Sequence, residues 1–168
     1  LRNHKGEIAA MGLFTVPTAS LRLLYGSFVI EHGRRHIVHF NATFHPTSAW
    51  MIQQLREAFP YDTAPRYLIF DGDAIFNPAV VEFIRAMGTK PIRISYRSPW
   101  QNGTAERWIG SCRREFLEHV VVLGERHLVR LVRAYITYYH EDRCHLGLGK
   151  DTPDERPITP RPSPMARV

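Results

Sequence analysis

Two acidic positions in this chain sit where carboxylates can do metal-assisted chemistry. Asp71, in Asp71-Gly72-Asp73, ends the apolar run Tyr67-Leu68-Ile69-Phe70. Glu106 lies 106 − 71 = 35 positions further on, just inside a helix and after a polar, Gly-containing turn. Carboxylates on separate elements offer hard oxygen ligands of the kind Mg²⁺ takes. Such ions serve in-line displacement at phosphorus, so the pair suits phosphodiester chemistry. By residue type alone, each acid also has a plain reading: Asp71 as a turn former, Glu106 as a solvated helix acid.

The surroundings of Glu106 are basic. The whole chain carries 22 Lys+Arg against 16 Asp+Glu, 22 − 16 = +6. Arg85, Lys90, Arg93, Arg97, Arg107, Arg113 and Arg114 face only Glu106 in the window 85–114, 7 − 1 = +6, which equals the excess of the chain. A lone acid in a basic field points to a polyanion such as DNA or RNA; a solvated basic surface is the alternative. Arg107, Arg113 and Arg114 are candidate DNA contacts, the last two read as returning to the Glu106 side of the helix. Gln101 and Asn102 either touch DNA or cap the helix. Trp100 and Trp108 read as packing rather than base stacking. His140, Cys144 and His145 lack the fourth ligand and spacing of a zinc site.

A length of 168 residues fits one domain with its own core. No apolar stretch approaches a membrane span, and no signal-peptide pattern is present. Cys112 and Cys144 are too few for a disulfide framework, which points to reduced thiols and a cytoplasmic setting, a bacterial cytosol being expected. The chain opens on Leu1 rather than Met and is expected to be a piece of a longer product. The division expected is a core over 1–150 and a Pro-rich C-terminal tail over 151–168, extended and poorly ordered.

The elements that must position the acids follow from patterning. Strands are expected over 7–16, 21–31 and 35–45, the last two joined through His32-Gly33-Arg34. A helix follows Pro46-Thr47-Ser48 to about Phe59, then a buried strand over Tyr67–Phe70. Asn77-Pro78 opens a second helix ending at Gly88, and Pro91 to Tyr96 is a fifth strand. Helices over Gln101–His119 and Glu125–Arg143 close the order, the latter with Leu128, Leu131, Val132, Tyr135, Tyr138 and Tyr139 inward. The expected class is α/β, a five-stranded mixed sheet flanked by helices.

Three motifs carry a family resemblance: Phe14-Thr15-Val16-Pro17-Thr18, Ile69-Phe70-Asp71-Gly72-Asp73-Ala74-Ile75-Phe76, and Tyr96 through Arg107. Tyr138-Tyr139-His140, then His145-Leu146-Gly147-Leu148 before Thr152-Pro153, looks like the family's closing segment. Together they resemble the catalytic core of DDE-type integrases and insertion-sequence transposases, on the ribonuclease H-like fold. The resemblance implies DNA cleavage and strand transfer in integration or transposition, DNA as partner, a possible homodimer, and Mg²⁺ (or Mn²⁺). It also implies an Asp on the first strand, an Asp after the fourth and a Glu on a following helix, together holding two ions. Asp71 and Glu106 match the second and third positions; the first falls on Gly12.

That departure predicts impaired catalysis, because the missing Asp would be the ligand shared by both ions. Glu7 lies an odd number of positions from Gly12 and points to the other face of a regular strand. Asp73 reads as a turn former more than as a rescuing ligand. Restoring Gly12→Asp is expected to permit metal-dependent nicking. A non-catalytic remnant that binds DNA or a partner recombinase is the alternative.

Overall fold

The structure, a computed structural model, describes residues 6–95 and 99–155, without the side chains of 99 and 100. Tyr96–Ser98 of the third motif, the Trp100 side chain and the tail beyond Glu155 lie outside it. Three strands come first, β1 (Ile8–Pro17), β2 (Leu23–Glu31) and β3 (Ile37–Thr43), followed by α1 (Ser48–Ala58). Then β4 (Tyr67–Phe70), α2 (Pro78–Ala86) and β5 (Lys90–Arg93) alternate, and α3 (Gly103–Glu115) and α4 (Glu125–Glu141) close the fold. The sheet order is β3-β2-β1-β4-β5. β1 pairs antiparallel with β2 and parallel with β4, so the sheet is mixed, as expected.

Local chemistry sets the element ends. The Thr47 side chain accepts from the Trp50 N–H to start α1, and Asn77 accepts from the Val80 N–H with Pro78 following. The helix expected over Gln101–His119 is divided. A 3₁₀ turn, Pro99–Asn102, precedes α3, and a second, Leu117–His119, follows it.

Central strand β1 is buried on both faces, and its alternation sorts two cores. Ile8, Ala10, Phe14 and Val16 pack toward Trp108 and Cys112 of α3 and Leu128, Val132, Tyr135 and Tyr139 of α4. Ala9 and Met11 pack on the opposite face with Met51 and Leu55 of α1 and Val80 and Ile84 of α2. Tyr138, expected inward, is 47% exposed, while Tyr139 is buried. Residues 151–155, expected to begin the extended tail, instead dock on the β2–β3 connection. Arg34 donates to the Asp151 carboxylate at 2.8 Å and to the Thr152 and Pro153 carbonyls. His36 contacts Asp154 at 2.7 Å, and Thr152 is fully buried.

Trp108 is the centre of the α3 core. It is fully buried, with its ring centroid 4.2 Å from Phe28 and 5.8 Å from Phe14. Trp108→Ala should cost about 3–5 kcal/mol in urea unfolding, the range for a large buried aromatic. Its Nε1–H has no partner among the described residues, so Trp108→Phe should cost much less. Equal losses for the two variants would contradict this packing.

Candidate active site

The β1–β4 ladder runs toward Gly12 and Asp71, the positions at which the resemblance expects the first and second acids. Ile8 pairs with Tyr67, Ala9 with Leu68 and Ala10 with Ile69, an offset of 67 − 8 = 59. Continued by two positions, that register would set Gly12 beside Asp71. Parity agrees. Gly12 shares the face of Ala10 and Phe14, and Asp71 the parity of Ile69, whose side chain packs in the α3 core.

The third element is tied to the same place. Asn102, immediately before α3, is buried, and its amide Nδ2 donates to the Met11 carbonyl at 3.4 Å. Its side chain makes no cap hydrogen bond, so the helix-capping role expected for Asn102 is not the one it fills. It fastens the start of α3 to β1 next to Gly12. Gln101 is also engaged: its Oε1 accepts from the Ser95 N–H at 2.8 Å. Glu106 lies in the first turn of α3, exposed. Ile109, one turn along on the Glu106 side, comes within 3.9 Å of where a Gly12 Cβ would be.

The space beside Gly12 is occupied by an aromatic ring. Gly12 pairs directly with Phe28 across the β1–β2 ladder, and a Cβ at position 12 would lie 3.1 Å from two atoms of the Phe28 ring. The arrangement occurs twice, because Phe14 pairs with Gly26 and its ring would be 2.9 Å from a Gly26 Cβ. Each phenylalanine covers the glycine opposite, a cross-strand arrangement that returns packing to a strand interior lacking a side chain. Nothing in the sequence search singled out Phe28; the β1–β2 register was the signal that could have found it.

Asp71 is half-buried just past the end of β4. One oxygen accepts from the Asp73 N–H at 3.0 Å, and Asp73 in turn accepts from the Ile75 N–H at 2.9 Å. Asp73 therefore serves the turn. Burial pushes the Asp71 carboxyl above the usual carboxylate range; the Asp73 N–H and the Arg93 charge pull partly against it, and the Asp73 charge adds to it. Arg93 itself donates to the Phe76 carbonyl. Glu7 sits at the start of β1 in a 3.2 Å pair with Arg66, away from Gly12.

The donor set does not fit a pair of divalent ions. It offers two carboxylates, one of them already holding a backbone N–H, and an aromatic ring at the third position. No cluster of three His, Cys, Asp or Glu suited to a metal is found among the described residues. His140 and His145 are engaged elsewhere: His140 Nε2 accepts from the Ile37 N–H at 2.9 Å, and His145 Nδ1 lies near Arg35 and Arg143. Arg113 follows Glu106 by seven positions, on its flank and exposed. Arg114, expected on that flank as well, instead lines a cleft with Arg107, Ser111 and Thr104. The physical reason is angular: eight residues at about 100° each leave a side chain some 80° off the starting row.

Residues 87–153 match the family profile described as Integrase core domain. No curated protein matches the sequence. Among solved structures, a chain of the simian T-cell lymphotropic virus intasome in complex with PP2A regulatory subunit B56 gamma superposes with a TM-score of 0.70 at 10% identity. That alignment covers 97% of this chain and 58% of the other, so the present chain spans little more than half of that relative. The HTLV-2 integrase catalytic core domain in complex with magnesium (dimeric form) gives a TM-score of 0.66 at 12% identity, covering 90% of this chain and 95% of the other. The catalytic domain of Mos1 mariner transposase gives 0.65 at 9%, covering 79% and 70%. The shared property is the fold, the ribonuclease H-like architecture expected from the motifs.

Two outcomes follow for the site. Phe28 is pinned by Trp108, so Gly12→Ala should destabilise by about 1–3 kcal/mol through overpacking, measured by denaturant unfolding; a stabilised variant would contradict the contact. Because burial opposes the Asp71 charge, Asp71→Asn should melt at or above the wild-type temperature near pH 7 without added metal. The gap should close as pH falls through the carboxylate range, where wild-type Asp71 takes up its proton. A wild type that melts higher than Asp71→Asn at pH 7 would contradict the burial.

Proposed function

We propose that this chain, whose fold is that of DDE integrase and transposase catalytic cores, is a DNA-engaging core domain of an integrase or transposase in which metal-dependent strand transfer is impaired. The observation that carries the reading is the Phe28 ring packed over Gly12, the residue at the position where the resemblance expects the first acid. Asp71 and Glu106 are retained on the elements where the resemblance expects them, and α3 is held against β1 by Asn102. With two carboxylates and no shared third ligand, the site lacks the donors that a two-ion displacement needs.

What remains is a basic surface on an integrase-like scaffold. Binding through Lys and Arg to the phosphate backbone would be independent of sequence and steeply salt-dependent. DNA is therefore the partner proposed, and a homodimer is carried over from the resemblance. A cytoplasmic location rests on the two free cysteines, Cys112 and Cys144. No helix among the described residues is long and apolar enough to cross a membrane.

Nicking of supercoiled plasmid with Mg²⁺ or Mn²⁺ separates chemistry from binding. Wild type should retain plasmid binding with a clear negative slope of log affinity against log salt, and should nick no faster than its metal-free control. Gly12→Asp alone should regain little, contrary to the expectation from sequence, because Phe28 occupies the space; Gly12→Asp with Phe28→Leu should regain metal-dependent nicking. Brisk wild-type nicking abolished by Asp71→Asn would overturn the impairment. A flat salt slope would overturn DNA binding.

A further inference from the structure

On the flank of α3 opposite the Ile109 side, a cleft of about 220 Å³ gathers four guanidinium groups. Arg107 and Arg114, seven residues apart on α3, form one row of its wall, and Thr104 and Ser111, also seven apart, form the row beside it. Arg35 enters from the connection between β2 and β3, and Arg143 from the end of α4. Three distant segments therefore converge, and none of the sequence motifs pointed to Arg35 or Arg143.

The charges in this cleft are unbalanced. Arg143 is paired, with Nη2 at 2.6 Å and Nε at 2.8 Å from the two Glu115 oxygens, and Nη2 at 3.0 Å from Ser111 Oγ. Among the described residues no carboxylate pairs with Arg35, Arg107 or Arg114; Arg107 donates only to the Gly103 carbonyl of its own helix at 3.2 Å. Arg35 and Arg143 approach the same atom, His145 Nδ1, at 3.4 and 3.2 Å. That nitrogen can accept from both only as a neutral imidazole. Burial and the two neighbouring cations push the His145 pKa down to about 4, which keeps it neutral. Burial and the charges of Arg107 and Arg143 likewise lower the Arg35 pKa.

Gathering like charges in a partly buried cleft opposes folding unless an anion enters it. Arg35 adds a backbone cost, standing at φ 65°, a region where a non-glycine residue is uncommon. Meanwhile the Glu115 clamp and the neutral His145 hold the donors in place, the fixed fork geometry that suits a tetrahedral oxyanion.

We propose that this cleft is a phosphate-binding site that takes a backbone phosphate of DNA, separate from Asp71 and Glu106 and on the other flank of α3. It rests on the DNA-binding reading above and adds to it a specific second contact. Duplex DNA bound there would be held across α3, with Glu106 and Arg113 on one flank and the arginine cleft on the other.

The test is duplex DNA affinity across a salt series for wild type, Arg35→Gln, Arg114→Gln and, as a charge-matched control on α1, Arg56→Gln. Thermal melting confirms that each variant is folded. Arg35→Gln and Arg114→Gln should each weaken binding several-fold at low salt and reduce the salt slope by about one phosphate contact, while Arg56→Gln should do neither. Cleft variants that bind like wild type would overturn the site while leaving DNA binding intact; a wild type that binds no duplex would remove both readings together. Inorganic phosphate, titrated calorimetrically, distinguishes the source. Phosphate binding lost in Arg35→Gln with unchanged DNA affinity would mean a free-anion site and overturn the proposed DNA contact.

Discussion

The parallel ladder between β1 and β4 is the constraint on which the candidate site depends. It is short, three residue pairs, and its register carried on by two positions would set Gly12 and Asp71 at one height and on one face. A slip of one residue would turn Gly12 toward α1 and α2 and remove it from Asp71. The register is held because β1 is buried on both faces and its two alternating sets fit two different cores. The Asn102 amide on the Met11 carbonyl then sets where α3 begins, so the place of Glu106 follows from the same strand.

Around Gly12 the surroundings are apolar. The Phe28 ring and the nearby Ile109 methyl extend the aromatic cluster of Phe14, Phe40 and Trp108 over Gly12. A carboxylate placed there would lose solvation against ring and methyl groups with nothing to compensate it. Gly12 is therefore matched by its neighbours. Chemistry and binding are separable in such a scaffold, since basic residues on α3 and at its ends do not depend on the filled position.

Much of this was legible in the sequence, for identifiable reasons. The strands and helices were set by alternation, caps and turn residues, and Asp71 and Glu106 by short motifs within them. Local pattern could not reveal pairings between distant segments. Phe28 opposite Gly12 required the β1–β2 register, and Arg35 meeting Arg143 required three segments to converge. Asn102 read as a DNA contact or a helix cap, and its buried amide bonds the Met11 carbonyl instead of capping α3. Arg114 was misplaced because one residue beyond two full turns already carries a side chain off its row. The segment 151–155 read as the start of a Pro-rich tail because its docking depends on Arg34, more than a hundred positions away, which binds two carbonyls and two carboxylates there.

Anomalous diffraction from crystals soaked in Mn²⁺ tests the filled first position most directly. At most one weakly occupied ion beside Asp71 and Glu106 is expected, with the Phe28 ring still seated over Gly12. Two well-occupied ions about 3.5–4 Å apart in that space, the spacing of a working pair, would contradict it.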